Sequence, residues 1–159
     1  MRTFRFLAVA ALSIGAALPQ PQAQAPKTFA PASDVDALIA KAKADHKDGQ
    51  ALIAQRILQL APYNVNLEYR TSVGPASIHE KEAELFFVID GAATLVTGGK
   101  LTEEKRTNPE NLSGAGIEGG ESRHIAKGDY IIVPENTAHW FSKIDSTLIL
   151  MSVHVPRSK

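Results

Sequence analysis

The chain of 159 residues contains no cysteine, and its formal net charge is zero. Without cysteine it forms no disulfide and uses no thiolate as a nucleophile or a metal ligand, so apolar burial must hold its core. Lysine and arginine together number 17, as do aspartate and glutamate, and the basic residues form no stripe. We therefore expect no nucleic-acid partner.

A long hydrophobic run is also missing. The apolar segment at residues 6–18 is shorter than the roughly 20 residues that span a bilayer. It follows a basic start and precedes Ala23-Gln24-Ala25, an order typical of a signal peptide with a small-x-small cleavage site. We predict a signal peptide at residues 1–25, a periplasmic or secreted location in a bacterium, and no membrane attachment after cleavage. An uncleaved N-terminal anchor is the alternative.

One helix is predicted at the front of the mature chain. Residues 26–32 are rich in proline and alanine and are interpreted as a linker. Ser33 is a candidate N-cap for a helix at 33–46. The apolar residues of that segment recur at the spacing of one helix face: Val35, Leu38, Ile39 and Ala42. Gly49 then ends the segment, which predicts a short helix ahead of the main fold.

The rest of the chain, at about 50–156, alternates short apolar segments with turn residues. Residues 51–60 fit a strand or a helix equally well. Residues 101–116 are polar and lack any period, so we interpret them as an excursion, either flexible or folded over a pocket mouth. Many short strands and one helix predict an all-β sandwich or barrel, in a single domain at 33–159.

Two segments give the strongest functional signal. The first reads Ser77-x-His79-x4-Glu84-x6-Gly91, and the second reads Gly128-x5-Pro134-x-Asn136-x2-His139-x3-Lys143. Together they resemble the two-motif signature of the cupin family, G-x5-H-x-H-x3,4-E-x6-G followed by G-x5-P-x-G-x2-H-x3-N. The resemblance implies a small jelly-roll-like cupin β-barrel that binds one metal through His79, Glu84 and His139.

The chain departs from that signature at its first ligand. Ser77 stands where the cupin pattern has a histidine, so three of the four expected ligands remain. Two imidazoles and one carboxylate resemble the site of non-heme iron enzymes, and the resemblance implies one divalent transition metal: Fe, Mn, Zn or Ni. A decayed site without metal is the alternative. Asn136 replaces a turn glycine but tolerates positive φ.

Strand geometry constrains how the ligands meet. Residues 79 and 84 have opposite parity, so the chain must turn between them, and we expect His79 and Glu84 to face each other across an antiparallel pair. Ser77 shares the face of His79 and should point into the pocket. We expect three apolar side chains to line that pocket as well: Phe86, Val88 and Phe141.

Two other histidines have ordinary interpretations. His124 follows an arginine on a polar strand and is interpreted as a surface residue. His154 alternates with apolar residues near the C-terminus. Its strand could bring it to the barrel mouth, but we interpret it as a satisfied or exposed histidine without a role in the site.

The predicted function is that of an exported metal-binding cupin. We favour a metal-dependent enzyme that acts on a small oxygen-bearing metabolite, and leave oxygenase, decarboxylase, lyase and isomerase open. The alternative is a non-catalytic periplasmic cupin that binds a sugar or an organic acid. Either would have a small-molecule ligand or substrate as its partner and would form a homodimer through edge strands.

Overall fold

A computed structural model describes residues 25–157 of the protein. One helix, α1 (Ala32–Asp45), precedes thirteen strands. The strands are β1 (Leu52–Leu60), β2 (Tyr63–Arg70), β3 (Ala76–His79), β4 (Glu82–Asp90), β5 (Ala92–Thr97), β6 (Lys100–Thr102), β7 (Lys105–Asn108), β8 (Asn111–Gly114), β9 (Gly116–Glu118), β10 (Glu121–Ala126), β11 (Tyr130–Val133), β12 (His139–Ile144) and β13 (Leu148–Pro156). The predicted signal peptide lies, except for Ala25, outside the described residues.

The strands form two large antiparallel sheets that enclose the main core. One sheet has the order β1-β2-β13-β4-β11, and the other has the order β10-β5-β12-β3-β8-β7. Alternation along the strands turns apolar side chains from both sheets toward each other. The buried core between them contains Phe86, Val88, Ala93, Leu95, Ile125, Val133, Phe141, Leu148 and Leu150. This is the all-β, jelly-roll-like architecture that the sequence predicted.

Helix α1 covers part of the outer face of the five-stranded sheet. Its apolar side packs on a second buried cluster that includes Ile57, Leu67 and Tyr69. The helix begins one residue before the predicted start, with Pro31 as its N-cap and no side-chain cap, so the expected Ser33 cap is wrong. Proline fits a helix start because the first N–H groups have no intrahelical partner. No helix within residues 25–157 is long and apolar enough to cross a membrane.

The N-terminal segment is held to the sheet ahead of the helix. Within the predicted linker, Lys27 exchanges two backbone hydrogen bonds with Gln59, at 2.8 and 2.9 Å. The segment at residues 51–60, which the sequence left open, forms strand β1. Its residues pair with β2 along the edge of the five-stranded sheet, so sheet pairing decided between helix and strand.

The polar segment at residues 101–116 is built into the fold. It contributes to four short strands, of which β7 and β8 extend the six-stranded sheet beside β3 and β6 pairs with β9. We expected an excursion that is either flexible or folded over a pocket mouth, whereas the segment contributes strands to the sheets. The backbone hydrogen bonds of a sheet edge require no apolar pattern, which is why the sequence did not show these strands. The register of β8 places Asn111 opposite His79.

Candidate metal centre

The first two predicted ligands come from facing sheets. His79 ends β3 in the six-stranded sheet, and Glu84 lies near the start of β4 in the five-stranded sheet. The chain turns at residues 80–81, as parity required, but the two strands do not pair with each other. The expected antiparallel pair is wrong because the chain crosses between sheets at this turn. Both side chains consequently point into the space between the sheets.

The third predicted ligand follows a tight turn. His139 begins β12 and is mostly buried, with 6% of its surface exposed. Asn136 in the preceding turn has φ of 55°, the conformation for which asparagine is suited. The backbone N–H of Asn136 donates to the carbonyl of His79 at 2.7 Å. The turn that positions His139 is thus fastened to the end of the strand that bears His79.

A fourth histidine lies in the cluster, contrary to expectation. His154 on β13 is paired directly with Glu84 on β4, and residues opposite each other in a sheet share a face. Its ring also lies edge-on to that of His79, with centroids 4.6 Å apart. His154 is a satisfied histidine, as we interpreted it, but it lies in the cluster, where we had assigned it no role. His124, by contrast, is exposed at the surface and contacts Asp145 at 3.0 Å.

The three imidazoles converge on one buried carboxylate. Glu84 is 4% exposed. The Nε2 atoms of His79 and His139 lie 3.3 and 3.1 Å from its Oε2, and the Nε2 atom of His154 lies 3.3 Å from its Oε1. Donor atoms of His79, Glu84 and His154 all lie within 4.8 Å of one another. His139 contacts Glu84 but is not in that set of three, so the structure groups the predicted ligands His79 and Glu84 most compactly with His154.

Each imidazole is oriented by a contact at its other nitrogen. The Nδ1 atoms of His79, His154 and His139 lie 2.7 Å from Asn111 Oδ1, 3.0 Å from Glu82 Oε2 and 3.4 Å from the carbonyl of Thr137. All three partners are acceptors, so each ring can keep a proton on Nδ1. When a metal is bound, a proton there would leave each Nε2 lone pair free to coordinate it, as in metal-ligating histidines. Without a metal, Nε2 instead faces the carboxylate oxygens of Glu84 as a hydrogen-bond donor.

The expected pocket-lining residues lie at different depths. Ser77 is half-buried and directly opposite His139, so the two share a face. Phe86 is buried, with its ring centroid 6.1 Å from that of His139 and 5.5 Å from that of Phe141. Val88 lies two residues further along β4, fully buried in the core. Aromatic rings therefore pack next to the cluster, and the aliphatic core lies beyond them.

The cluster shifts the acidity of its members. Burial alone would raise the pKa of Glu84, but hydrogen bonds from the three histidines outweigh it and hold that pKa far below the usual range. Burial opposes charge on His79, yet its bonds to Glu84 and Asn111 raise its pKa above 6.5. The bond to Glu84 likewise raises the pKa of His154, against burial. Without metal, the ionised Glu84 therefore favours the protonated forms of His79 and His154.

We predict that metal affinity rises with pH across the neutral range. His79 and His154 have raised pKa values and must lose the Nε2 proton to act as ligands. Where both are protonated, the affinity should change by up to about 100-fold per pH unit, and it should level off above both pKa values. Calorimetric titration with Zn²⁺ or Mn²⁺ at several pH values measures this slope. A flat profile between pH 5.5 and 8 would contradict the assignment of these rings as ligands.

The donor set fits a divalent transition metal. Three imidazole nitrogens and one carboxylate are ligands that Fe, Mn, Ni and Zn accept. A carboxylate this buried also requires compensating charge, which a cation or imidazolium neighbours supply. Fold and cluster together define a small cupin-type barrel with a His/Glu centre between its sheets.

Comparison with known proteins supports that fold. No family profile matches the chain, and no curated protein matches it in sequence. KdgF from Halomonas sp. superposes with a TM-score of 0.51 at 16% identity, over 72% of this chain and 88% of that one. The protein TT1209 from Thermus thermophilus gives 0.51 at 14% identity, over 73% and 93%.

A further solved structure is the Fe(II) form of HppE. It matches with a TM-score of 0.51 at 14% identity, over 66% of this chain and 51% of that one. The protein therefore shares a cupin fold with these structures. At such identities the likeness extends to the fold alone.

Proposed function

We propose that the protein is an exported cupin that binds one divalent transition metal and acts as a metal-dependent enzyme on a small oxygen-bearing metabolite. The observation that carries the proposal is the convergence of three Nε2 atoms on buried Glu84, with every Nδ1 engaged by an acceptor. The proposed ligands are His79, Glu84, His139 and His154.

The number of ligands bears on the identity of the metal. Four protein ligands would complete a tetrahedral Zn²⁺ site, whereas a six-coordinate ion would keep two positions for water or substrate. If the protein is an enzyme, we therefore expect Fe, Mn or Ni, because these ions would keep positions for substrate. When bound, such an ion would polarise an oxygen of the substrate. The rings of Phe86 and Phe141 place apolar surface beside the cluster, which would limit the access of water to a bound ion.

Metal analysis followed by a substrate screen tests the proposal. Protein is purified without chelators, its metal content is measured, and metal-loaded protein is assayed with small hydroxy acids, keto acids and enols. We expect about one ion per chain and turnover that His139→Ala abolishes. Failure to retain any of the four metals after reconstitution would contradict the metal site. Tight ligand binding that survives removal of the metal, without turnover, would favour the non-catalytic alternative.

The acceptor that orients His154 should affect metal binding. Glu82 holds Nδ1 of His154 at 3.0 Å, and losing such an outer partner typically costs about 10–100-fold in metal affinity. We predict that Glu82→Gln lowers the affinity by about tenfold in calorimetric titration. The matched control is Glu80→Gln, two residues away, whose carboxylate pairs with Arg106 instead. Equal affinities of the two variants would show that Glu82 does not support the site.

Export is a proposal based on the N-terminal sequence. A basic start, a short apolar segment and an Ala-x-Ala site are the parts of a cleavable signal peptide. We predict that protein recovered from the periplasmic fraction begins near residue 24 or 26, as measured by N-terminal sequencing. An intact Met1 on protein from a soluble cytoplasmic pool would contradict export.

A further inference from the structure

Deep polar groups of the barrel are satisfied by the protein itself. Within residues 25–157, no fully buried side-chain nitrogen or oxygen lacks a hydrogen-bond partner. Glu68, for example, pairs with Arg70 at 2.7 Å and accepts from the hydroxyl of Ser152 at 2.9 Å. Polar side chains that are only partly buried can instead bond to water or to a ligand.

Four polar side chains beside the metal centre have no such partner among the described residues. Each is half-buried, and none makes a side-chain hydrogen bond to residues 25–157: Asn64, Asn66, Ser77 and Ser113. Because the fully buried polar atoms are all paired, the free atoms of these side chains are open to solvent. They are available to hydrogen-bond a ligand.

Strand register places these side chains next to the cluster, on both sheets. On the five-stranded sheet, Asn64 is opposite His154, and Asn66 is opposite Ser152. On the six-stranded sheet, Ser77 is opposite both His139 and Ser113. Residues opposite each other share a face, so all four line the space between the sheets that also contains the histidines.

Two cations continue the same rows toward the edges of the sheets. Arg56 on β1 is opposite Asn66, and Lys105 on β7 is opposite Ser113. Both are exposed, and neither has an acidic partner within 4.0 Å in the part of the chain that the structure describes. The outer end of the polar row therefore has, on each sheet, one cation without an ion-pair partner among residues 25–157.

We infer that the space between β2 on one sheet and β3 and β8 on the other, which we call the cleft, binds a small hydroxylated carboxylic acid. Amide and hydroxyl side chains both donate and accept, which matches the hydroxyl groups of such a ligand. Arg56 and Lys105 match its carboxylate. The inference rests on the proposed function, because the same ligand would extend from this cleft to the metal centre.

Calorimetry on metal-loaded protein tests the cleft with two matched pairs of probes. These are gluconate against glucitol, and galactonate against galactitol, in which only the carboxylate differs from a neutral alcohol. We expect at least one acid to bind about tenfold more tightly than its alcohol. Asn66→Leu should weaken binding of that acid by about fivefold to tenfold without loss of metal, because one hydrogen bond to the ligand is lost.

Two further variants separate the roles of the cleft residues. Arg56→Gln should lower the affinity for the acid toward that for its alcohol. It should leave the affinity for the alcohol unchanged. Gln55→Leu is the control, because it removes an amide from β1 at a position opposite Leu67, in the cluster beneath the helix. It should bind like wild type. If Asn66→Leu does not fold, Asn66→Ala replaces it, and thermal unfolding of each variant establishes which folds.

The outcomes distinguish this inference from the proposed function. If metal-loaded wild type binds neither acid, the proposal that the cleft binds an acid is overturned. The same holds if the Asn66 and Arg56 variants bind the acid as wild type does. If wild type holds no metal but binds an acid, and Asn66→Leu weakens that binding, the acid site is supported. The same result contradicts the metal-dependent function.

Discussion

Replacing Glu84 with glutamine is expected to lower metal affinity by more than about 100-fold, beyond the 10–100-fold cost of losing an outer-shell partner. Glu84 is contacted by all three imidazoles, and its carboxylate is buried. Glutamine has nearly the same shape but no negative charge to offset that of the cation. Competition with a chelator of known affinity measures the change.

The same substitution should destabilise the metal-free protein at neutral pH. The pKa of Glu84 is depressed in the folded state, so its contribution is present above the unfolded pKa and lost as pH falls through the folded one. We expect a cost of about 1–3 kcal/mol in the free energy of unfolding, measured with urea. Glu110→Gln is the control, since that exposed carboxylate pairs with Lys81, away from the cluster. If Glu84→Gln bound metal as tightly as wild type does, Glu84 would not be a ligand.

Replacing His154 with glutamine is expected to lower metal affinity by about 100-fold, the upper end of the cost of an outer-shell partner, because a ligand is lost outright. Its Nε2 lies as close to Glu84 as that of His79 does, at 3.3 Å in both cases. His79→Gln should therefore have a similar effect. Calorimetric titration of both variants makes the comparison, at a pH where the affinity of wild type no longer rises with pH.

A surface histidine provides the matched control for that comparison. His124→Gln changes a residue of the same type that contacts Asp145 at the surface, on a strand that contributes no side chain to the cluster. It should bind metal as wild type does. If His154→Gln behaved like His124→Gln while His79→Gln lost the metal, His154 would be a neighbour of the site and not a ligand.

The fold was predictable because its signals are local. Alternating apolar residues, regular turn residues and the two cupin-like segments all lie within short windows of sequence. The positive φ of Asn136 shows how such a local rule holds in the structure. Export and dimerisation stay predictions, since nothing in the described residues tests them.

The fourth histidine could not be predicted because it depends on long-range pairing. His154 is 70 positions beyond Glu84, and only the register of β13 against β4 places the two side chains on one face. The sequence did contain a weak signal, since His154 shares its parity with the buried residues Leu148 and Leu150. Parity gives the face of a strand, but not which strand lies beside it.

The polar strands β7 and β8 were missed for a related reason. β8 is held by backbone bonds to β3 and β7 by backbone bonds to β8, and such pairing requires no apolar period in their side chains. As a result the sequence did not identify Asn111, which orients His79 through a 2.7 Å hydrogen bond. Orienting partners of this kind become visible only when the facing strands are known.

The most direct test of the four-ligand centre is a crystal structure of metal-loaded protein with anomalous scattering data at the metal edge. The account predicts one ion with a Glu84 carboxylate oxygen and the Nε2 atoms of His79, His139 and His154 all about 2.0–2.2 Å away. An ion bound elsewhere, or one coordinated by His79, Glu84 and His139 with His154 turned away from it, would contradict the account.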